Sequence, residues 1–142
     1  MAQIKHIAIA TQDADVTAKF YKDVFGLREI AKLDSSTAKG YFLSDGNINM
    51  AILDFHNDQV AGAELGMNYS GIHHIGFEVE SLEQIAEKMK ESNAAPRDDI
   101  NEALHIGMAG RTGGNVEVKY GGPDGVIIDV SETGWVGTRG LD

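Results

Sequence analysis

Apolar residues occupy every second position in two segments of the chain, residues 5–10 and 73–79. A period of two is typical of a β-strand with one face buried. In each segment the other face carries a histidine followed by a small residue, His6 in the first and His74 in the second. Both segments therefore predict strands. On the face that carries the histidine, the small neighbouring residue leaves space for a bound group.

A helical pattern follows each of these strands. Asp13 or Asp15 can cap the first helix, which ends at Gly26, and Ser81 with Gln84 forms a capping box at the start of the second. Apolar residues at helical spacing support both helices. They are Val16, Phe20, Val24 and Phe25 in the first helix and Leu82, Ile85, Ala86 and Met89 in the second.

Three further strands are predicted in each half of the chain. They cover residues 28–33, 39–43 and 48–54 in the first half and residues 104–108, 116–120 and 126–131 in the second. An Asp-Gly pair joins the last two strands of each half, and this dipeptide is a strong hairpin signal. The element order is therefore βαβββ twice, which is an internal repeat.

The repeat divides the chain into parts of one compact domain. We expect a first module over residues 1–56, a linker loop over 57–71, a second module over 72–134 and a C-terminal tail over 135–142. Trp135, between two glycines, suits either an anchor in a subunit contact or packing of the tail on its own domain.

The chain is acidic and contains no cysteine. Its 12 Lys and Arg residues against 22 Asp and Glu residues give a formal net charge of −10. This sign argues against a nucleic-acid partner and against an anionic membrane, since both attract basic surfaces. The lack of cysteine excludes disulfides, thiolate metal sites and a cysteine nucleophile. With no leader-like segment and no long apolar run, we expect a cytoplasmic protein with a small-molecule substrate.

The repeat also predicts a metal site. Aligning the modules by their first strands places His6 on His74, and aligning them by their Asp-Gly turns places Met50 on Asp129. A pseudo-twofold would bring these four positions together. Asp129 lies on the strand face opposite an apolar β-branched layer, so it faces solvent or a polar cavity. Two imidazoles and a carboxylate suit a first-row divalent cation with open coordination positions.

Several segments carry a resemblance to a known family. They are His-Ile-Ala-Ile-Ala-Thr from residue 6, the helix with Phe20-Tyr21 and Phe25-Gly26-Leu27, residues 71–79 and residues 122–129. Together they resemble the vicinal oxygen chelate superfamily, which includes glyoxalase I, methylmalonyl-CoA epimerase, extradiol dioxygenases, and fosfomycin- and bleomycin-resistance proteins. The resemblance covers about the whole chain. It implies an α+β fold of two βαβββ modules that form a cupped, partly open mixed β-barrel, generally in a homodimer.

The resemblance also implies the ligands of a divalent Fe, Mn, Zn, Ni or Co ion. They are His6, His74 and Asp129, with Asp129 in the place of the family's glutamate and Glu132 as the alternative. Met50, at the fourth position, is a poor ligand for a hard cation. The resulting three-ligand site is similar to that of the extradiol dioxygenases, although Lys119 stands where those enzymes have a tyrosine.

Two other functions stay open at this point. One is a glyoxalase- or epimerase-type lyase or isomerase, in which Glu78 or His105 serves as the acid or base. In either enzyme, Lys119 could bind an anionic substrate group or stabilise a developing oxyanion. The other is a non-enzymatic drug-binding protein that resembles the bleomycin-resistance proteins. The acidic charge fits a cationic drug, but the two histidines and the acid at ligand positions favour an enzyme.

Overall fold

The computed structural model describes residues 1–106 and 117–141 of the chain. The first module comprises β1 (Gln3–Ala10), α1 (Ala14–Phe25), β2 (Arg28–Asp34), β3 (Ala38–Ser44) and β4 (Asn49–Phe55). A short helix, α2 (Asp58–Ala61), leads to the second module. That module comprises β5 (Gly71–Glu78), α3 (Leu82–Glu91), α4 (Asp98–Ala103), β6 (Val118–Gly121) and β7 (Ile127–Ser131).

The strands of both modules form one mixed sheet in the order β2-β3-β4-β1-β5-β7-β6. At its centre β1 and β5 run antiparallel, and each pairs on its outer side with a parallel strand of its own module, β4 or β7. The sheet formed by the described residues has seven strands and does not close into a barrel. The predicted α+β fold with a partly open sheet is confirmed. None of the helices in the described ranges is long and apolar enough to cross a membrane.

Local signals in the sequence set the limits of α1 and α3. Asp13 accepts a hydrogen bond from the backbone N–H of Val16 at 3.1 Å, and Ser81 accepts one from Gln84 N–H at 3.1 Å. Gly26 ends α1 with a φ of 72°, a left-handed conformation that favours glycine. Both predicted helices are therefore present with the predicted caps.

The larger apolar side chains of α1 do not form its packing face. Val16, Phe20 and Val24 lie on the solvent side, with 65%, 51% and 58% of their surface exposed. Ala14 and Ala18 pack instead against the sheet, next to Leu43 and Ile52. The small alanine side chains allow α1 to approach the sheet closely, and this contact outweighs burial of the larger stripe.

The strand predicted over residues 104–108 is wrong for residues 104–106, and residues 107–108 lie outside the described part of the chain. Helix α4 and a turn occupy this place. The Asn101 side chain donates to Lys119 O at 3.1 Å and accepts from Lys119 N at 2.9 Å. The Asn101 amide thus occupies part of the outer edge of β6, where the backbone N–H of Arg97 also donates to Lys119 O at 2.8 Å.

The buried apolar residues of ranges 1–106 and 117–141 form three clusters around the sheet. One lies between α1 and the strands of the first module, and a second lies around Val79, Tyr120 and Val130 beneath α3. The third lies under α2, where Val60 and Ala61 pack against the ends of β1, β3 and β4 at Ala10, Ala38 and Phe55. Its Ala38, Phe55 and Val60 also line the cavity described below.

Candidate metal centre

Three neighbouring strands in the middle of the sheet each contribute one side chain to a buried cluster. They are His6 from β1, His74 from β5 and Asp129 from β7. The Nε2 atoms of the two histidines lie 3.1 Å apart. Asp129 Oδ2 lies 3.1 Å from His74 Nε2 and 4.0 Å from His6 Nε2. The structure thus brings together the three side chains that the sequence analysis singled out as ligands.

A hydrogen bond from β4 fixes the orientation of the His6 ring. Asn49 Oδ1 lies 2.8 Å from His6 Nδ1, and Asn49 Nδ2 donates to the carbonyl oxygen of Val136 at 3.0 Å. Because that carbonyl can only accept, the amide must present its oxygen to His6. His6 therefore carries its proton on Nδ1 and presents the lone pair of Nε2 to the cluster.

A second histidine plays the same part for His74. His73 Nε2 lies 2.6 Å from the carbonyl oxygen of Ala61, and His73 Nδ1 lies 2.7 Å from His74 Nδ1. Burial and the neighbouring His74 lower the pKa of His73 to about 4, so the ring is neutral at pH 7. It donates from Nε2 to Ala61 and accepts at Nδ1 from His74. His74 therefore also presents an Nε2 lone pair to the cluster.

The contact between His73 and His74 departs from regular strand parity. Neighbouring residues of a regular strand point to opposite faces, so parity alone would place His73 in the layer opposite His74. The pairing of β1 with β5 shifts at this point, since Ala8 faces His74 and Ile9 faces Ile72. His73 is the extra residue of a β-bulge, which turns its ring toward the same cavity as His74.

The three inward-facing atoms fit a bound divalent cation. Two Nε2 lone pairs and the carboxylate oxygen Asp129 Oδ2 face one another at 3.1–4.0 Å. With both Nε2 atoms unprotonated, the buried Asp129 Oδ2 has no hydrogen-bond donor among the described residues. Acceptors without a shared proton repel one another, and an unsatisfied buried carboxylate oxygen is costly. A cation relieves both penalties, and two imidazoles with a carboxylate are a donor set for Fe, Mn, Zn, Ni or Co.

The other carboxylate oxygen of Asp129 is held by Lys119. Lys119 Nζ donates to Asp129 Oδ1 at 2.8 Å, and both side chains are buried. Burial opposes ionisation of Asp129, but the positive charge that His74 carries when protonated, together with the Lys119 ammonium, outweighs it and holds the pKa of this carboxyl well below its usual range. Asp129 is therefore an anion at neutral pH. Burial and the neighbouring His74 lower the pKa of His6 to about 3, so this histidine is neutral.

The cluster opens into a cavity of about 290 Å³. One wall is apolar and is formed by β3, β4 and α2, with Phe42, Ala51, Leu53, Phe55 and Val60. The opposite side is polar and carries His6, His73, His74, Glu117 and Lys119. Its volume suits a small substrate or the reacting end of a larger one.

A sequence model of the Glyoxalase/Bleomycin resistance protein/Dioxygenase superfamily matches residues 3–130. The chain belongs to this superfamily. Two curated relatives are the mitochondrial methylmalonyl-CoA epimerases of Homo sapiens and Mus musculus, 26% and 25% identical over 115 residues. These residues are 78% of this chain and 64% and 63% of the two relatives. The chain thus spans less than two thirds of the length of the relatives it matches.

Several solved structures share the fold of this chain. A hypothetical protein from Bacillus halodurans C-125 superposes with a TM-score of 0.70 and 21% identity, over 92% of this chain and 93% of that one. A methylmalonyl-CoA epimerase in complex with methylmalonyl-CoA and NH₄⁺ gives 0.69 and 19%, over 92% and 94%. A Streptomyces coelicolor epimerase variant in complex with 2-nitronate-propionyl-CoA gives 0.68 and 21%, over 91% and 95%. At these identities the likeness shows the fold alone.

The residue of the first module that is equivalent to Asp129 is Ala51 and not Met50. In β7 Asp129 pairs with Gly76, two residues beyond His74, and in β4 Ala51 pairs with Ala8, two residues beyond His6. Met50 points to the opposite side of the sheet and packs against the cluster beneath α1. The predicted equivalence of Met50 and Asp129 is therefore wrong by one residue. The conclusion drawn from it survives, because alanine has no ligand atom.

The candidate acid-base residues Glu78 and His105 lie outside the cavity. Glu78 shares a strand face with His74, but the Trp135 indole lies over Gly76 between them, and Glu78 Oε2 accepts from Arg139 at 2.9 Å. His105 follows α4 in an exposed turn, not in the predicted strand. Glu132, the alternative ligand, accepts instead from the N-terminal N–H of α3 at Leu82.

Glu117 is a carboxylate of the cavity that the sequence analysis missed. Its side chain is one quarter exposed, and its Oε2 lies 3.9 Å from Lys119 Nζ. Its position two residues before Lys119, on the same strand face by parity, was the available signal. Trp135 is buried against its own chain, so packing of the tail on its own domain is the arrangement found.

Proposed function

We propose that this protein is a metal-dependent vicinal oxygen chelate enzyme that moves a proton at a carbon next to two substrate oxygens. The observation that carries the proposal is the group of three buried acceptors, His6 Nε2, His74 Nε2 and Asp129 Oδ2, held inward by their outer hydrogen bonds. A divalent cation held there would act as a Lewis acid and template, stabilising negative charge on the two oxygens.

The proton-transfer reaction is supported by the relatives, two of which are methylmalonyl-CoA epimerases. It requires a base that lines the cavity, and Glu117 meets this condition. Lys119 Nζ lies 3.9 Å from Glu117 Oε2 and forms its closer ion pair with Asp129 Oδ1 at 2.8 Å. We therefore assign Glu117 the role of general base and Lys119 that of a positioning residue for Asp129. Apolar residues on the opposite wall keep water from the reacting carbon.

Exchange of the substrate's carbon-bound hydrogen with solvent deuterium tests this reaction. The protein, stripped and reloaded with Co²⁺, is incubated with methylmalonyl-CoA in D₂O, and deuterium at the carbon between the carbonyl groups is measured by mass spectrometry. We expect catalysed exchange that is lost in Asp129→Asn and falls at least about 100-fold in Glu117→Gln. Glu78→Gln is the matched control and should exchange at the wild-type rate. Equal rates in Glu117→Gln and wild type would remove Glu117 as the base.

A dioxygenase is the second candidate, and the alanine at position 51 favours it. With three protein ligands and no ligand atom at Ala51, a six-coordinate ion would keep up to three positions for substrate and O₂. Anaerobic loading with Fe²⁺ followed by oxygen uptake with a panel of catechols tests this reaction. Uptake without deuterium exchange would select the dioxygenase. Absence of metal after reconstitution of an untagged protein would favour the drug-binding alternative.

A further inference from the structure

We propose that the C-terminal strap, residues 134–141, is part of the metal centre and that Trp135 is the positioning residue of His6. This inference rests on the proposed metal-dependent function. It concerns the contacts that hold His6 in place, which differ from those that hold His74. His74 is held by His73, its neighbour in β5, whereas both contacts that orient His6 lead to the chain end.

The first contact is a ring stack. The Trp135 indole lies parallel to the His6 imidazole, with an interplanar angle of 3° and ring centroids 4.7 Å apart. Gly76 makes room for both rings, because a Cβ atom there would lie 2.7 Å from the indole and 2.8 Å from His6 Cβ. The indole and β5 thus leave the imidazole little freedom to rotate.

The second contact runs through the strap backbone. The carbonyl oxygen of Val136 accepts from Asn49 Nδ2 at 3.0 Å, and Asn49 Oδ1 contacts His6 Nδ1 at 2.8 Å. Adjacent residues of the strap therefore act on His6 in different ways. Trp135 covers the face of the ring, and Val136 fixes the amide that selects which nitrogen carries the proton.

Further contacts of the strap lead to the first module. Ser44 Oγ donates to Gly137 O at 2.6 Å, Gly140 N donates to Gly46 O at 2.9 Å, and Arg28 donates to Leu141 O. The ties to β2, β3 and the β3–β4 turn hold the strap where Trp135 meets His6. Loss of the strap contact should therefore weaken metal binding even though no strap residue is a ligand, as is typical of residues that orient metal ligands.

Metal affinity, measured by competition with a chromogenic chelator, tests the role of Trp135. We expect Trp135→Leu to bind Zn²⁺ about 10- to 100-fold more weakly than wild type. Trp135→Phe retains an aromatic ring against His6 and should restore most of the affinity. Val136→Ala changes a half-exposed side chain without removing the backbone carbonyl, so it should bind as wild type does. Circular dichroism identifies any variant that fails to fold.

A second measurement uses the wild-type protein and needs no variant. Trp135 is the one tryptophan of the chain, so its fluorescence should be quenched by Co²⁺ with an end point at one equivalent. Stoichiometric Co²⁺ binding without quenching, or wild-type affinity in Trp135→Leu, would overturn the role of the strap and leave the proposed function intact. A wild-type protein that binds no metal would overturn both.

Discussion

Ala51 occupies in the first module the sheet position that Asp129 occupies in the second. Each residue lies on the parallel outer partner of a central strand and pairs with the residue two positions beyond a ligand histidine. The two modules thus have equivalent backbone positions that carry different side chains. The first contributes one candidate ligand, most of the apolar wall and the polar residues Asp34, Ser35 and Thr37. The second contributes the other two candidate ligands together with His73, Glu117 and Lys119.

This relationship predicts that a fourth ligand can be added. Ala51→Glu places a carboxylate at the position equivalent to Asp129, and we expect it to raise Zn²⁺ affinity at least about tenfold by completing the tetrahedral ligand set. Ala51→Leu fills the same space without a ligand atom and is the matched control. Isothermal titration calorimetry measures the difference. Equal affinities in the two variants would mean that position 51 does not face the ion.

Replacement of His73 should weaken metal binding, although His73 is not a ligand. His73→Phe keeps a ring of similar size but removes the nitrogen that accepts from His74 Nδ1. His74 then loses the partner that fixes its tautomer, and we expect a loss of about 10- to 100-fold in Zn²⁺ affinity. His105→Ala, at an exposed histidine, should leave the affinity unchanged. A His73→Phe variant with wild-type affinity would contradict the hydrogen-bond chain to Ala61.

The buried pair of Lys119 and Asp129 predicts a stability change that metal reverses. Lys119→Met leaves the Asp129 carboxylate buried without its partner at 2.8 Å, and we expect the metal-free protein to lose about 3–5 kcal/mol of unfolding free energy. A bound cation would compensate the charge, so Zn²⁺ should stabilise this variant more than wild type. Urea unfolding with and without Zn²⁺ measures both effects.

The corresponding double variant serves as the control. Lys119→Met combined with Asp129→Asn removes both charges, and its metal-free form should be more stable than Lys119→Met alone, because no unpaired charge stays buried. It should also gain little from Zn²⁺, since a ligand is lost. A double variant less stable than Lys119→Met would show that the carboxylate has other support in the fold.

The buried neutral histidines predict acid sensitivity of the metal-free protein. Burial and the neighbouring His74 lower the pKa of His73 from 6.5 to about 4. Between these values the unfolded chain binds more protons than the folded one, so stability falls as the pH is lowered from about 6.5 to 4. Thermal melting over this range measures the loss. His73→Phe should show a shallower pH dependence, and an unchanged slope would exclude His73 as a source of the loss.

Much of the site could be predicted because it depends on patterns that one strand carries by itself. His6, His74 and Asp129 each lie on the strand face opposite an apolar layer, and a period of two is enough to place them there. The caps at Asp13 and Ser81 depend on short-range hydrogen bonds and were equally visible in the sequence.

The remaining features depend on pairing between segments. The position equivalent to Asp129 was misplaced by one residue because the two Asp-Gly turns lead into their strands differently. Gly46 is followed by β4 after two residues and Gly125 by β7 after one. The bulge at His73 and the hydrogen bonds from the Asn101 side chain to the edge of β6 arise from the same kind of long-range contact. No local pattern signals them.

Binding of an ion between His6 and His74 would depend on how β1 and β5 are aligned, because these two strands join the two modules. His6 faces Gly76 and His74 faces Ala8 across that pair, so the two histidines are offset by two residues. Sliding one strand by two residues in the direction that increases this offset would carry their Nε2 atoms roughly 7 Å further apart. An ion that takes nitrogen ligands at about 2.1 Å cannot span such a gap. A bound ion would therefore disfavour slipped arrangements of the two modules that widen the offset between the histidines.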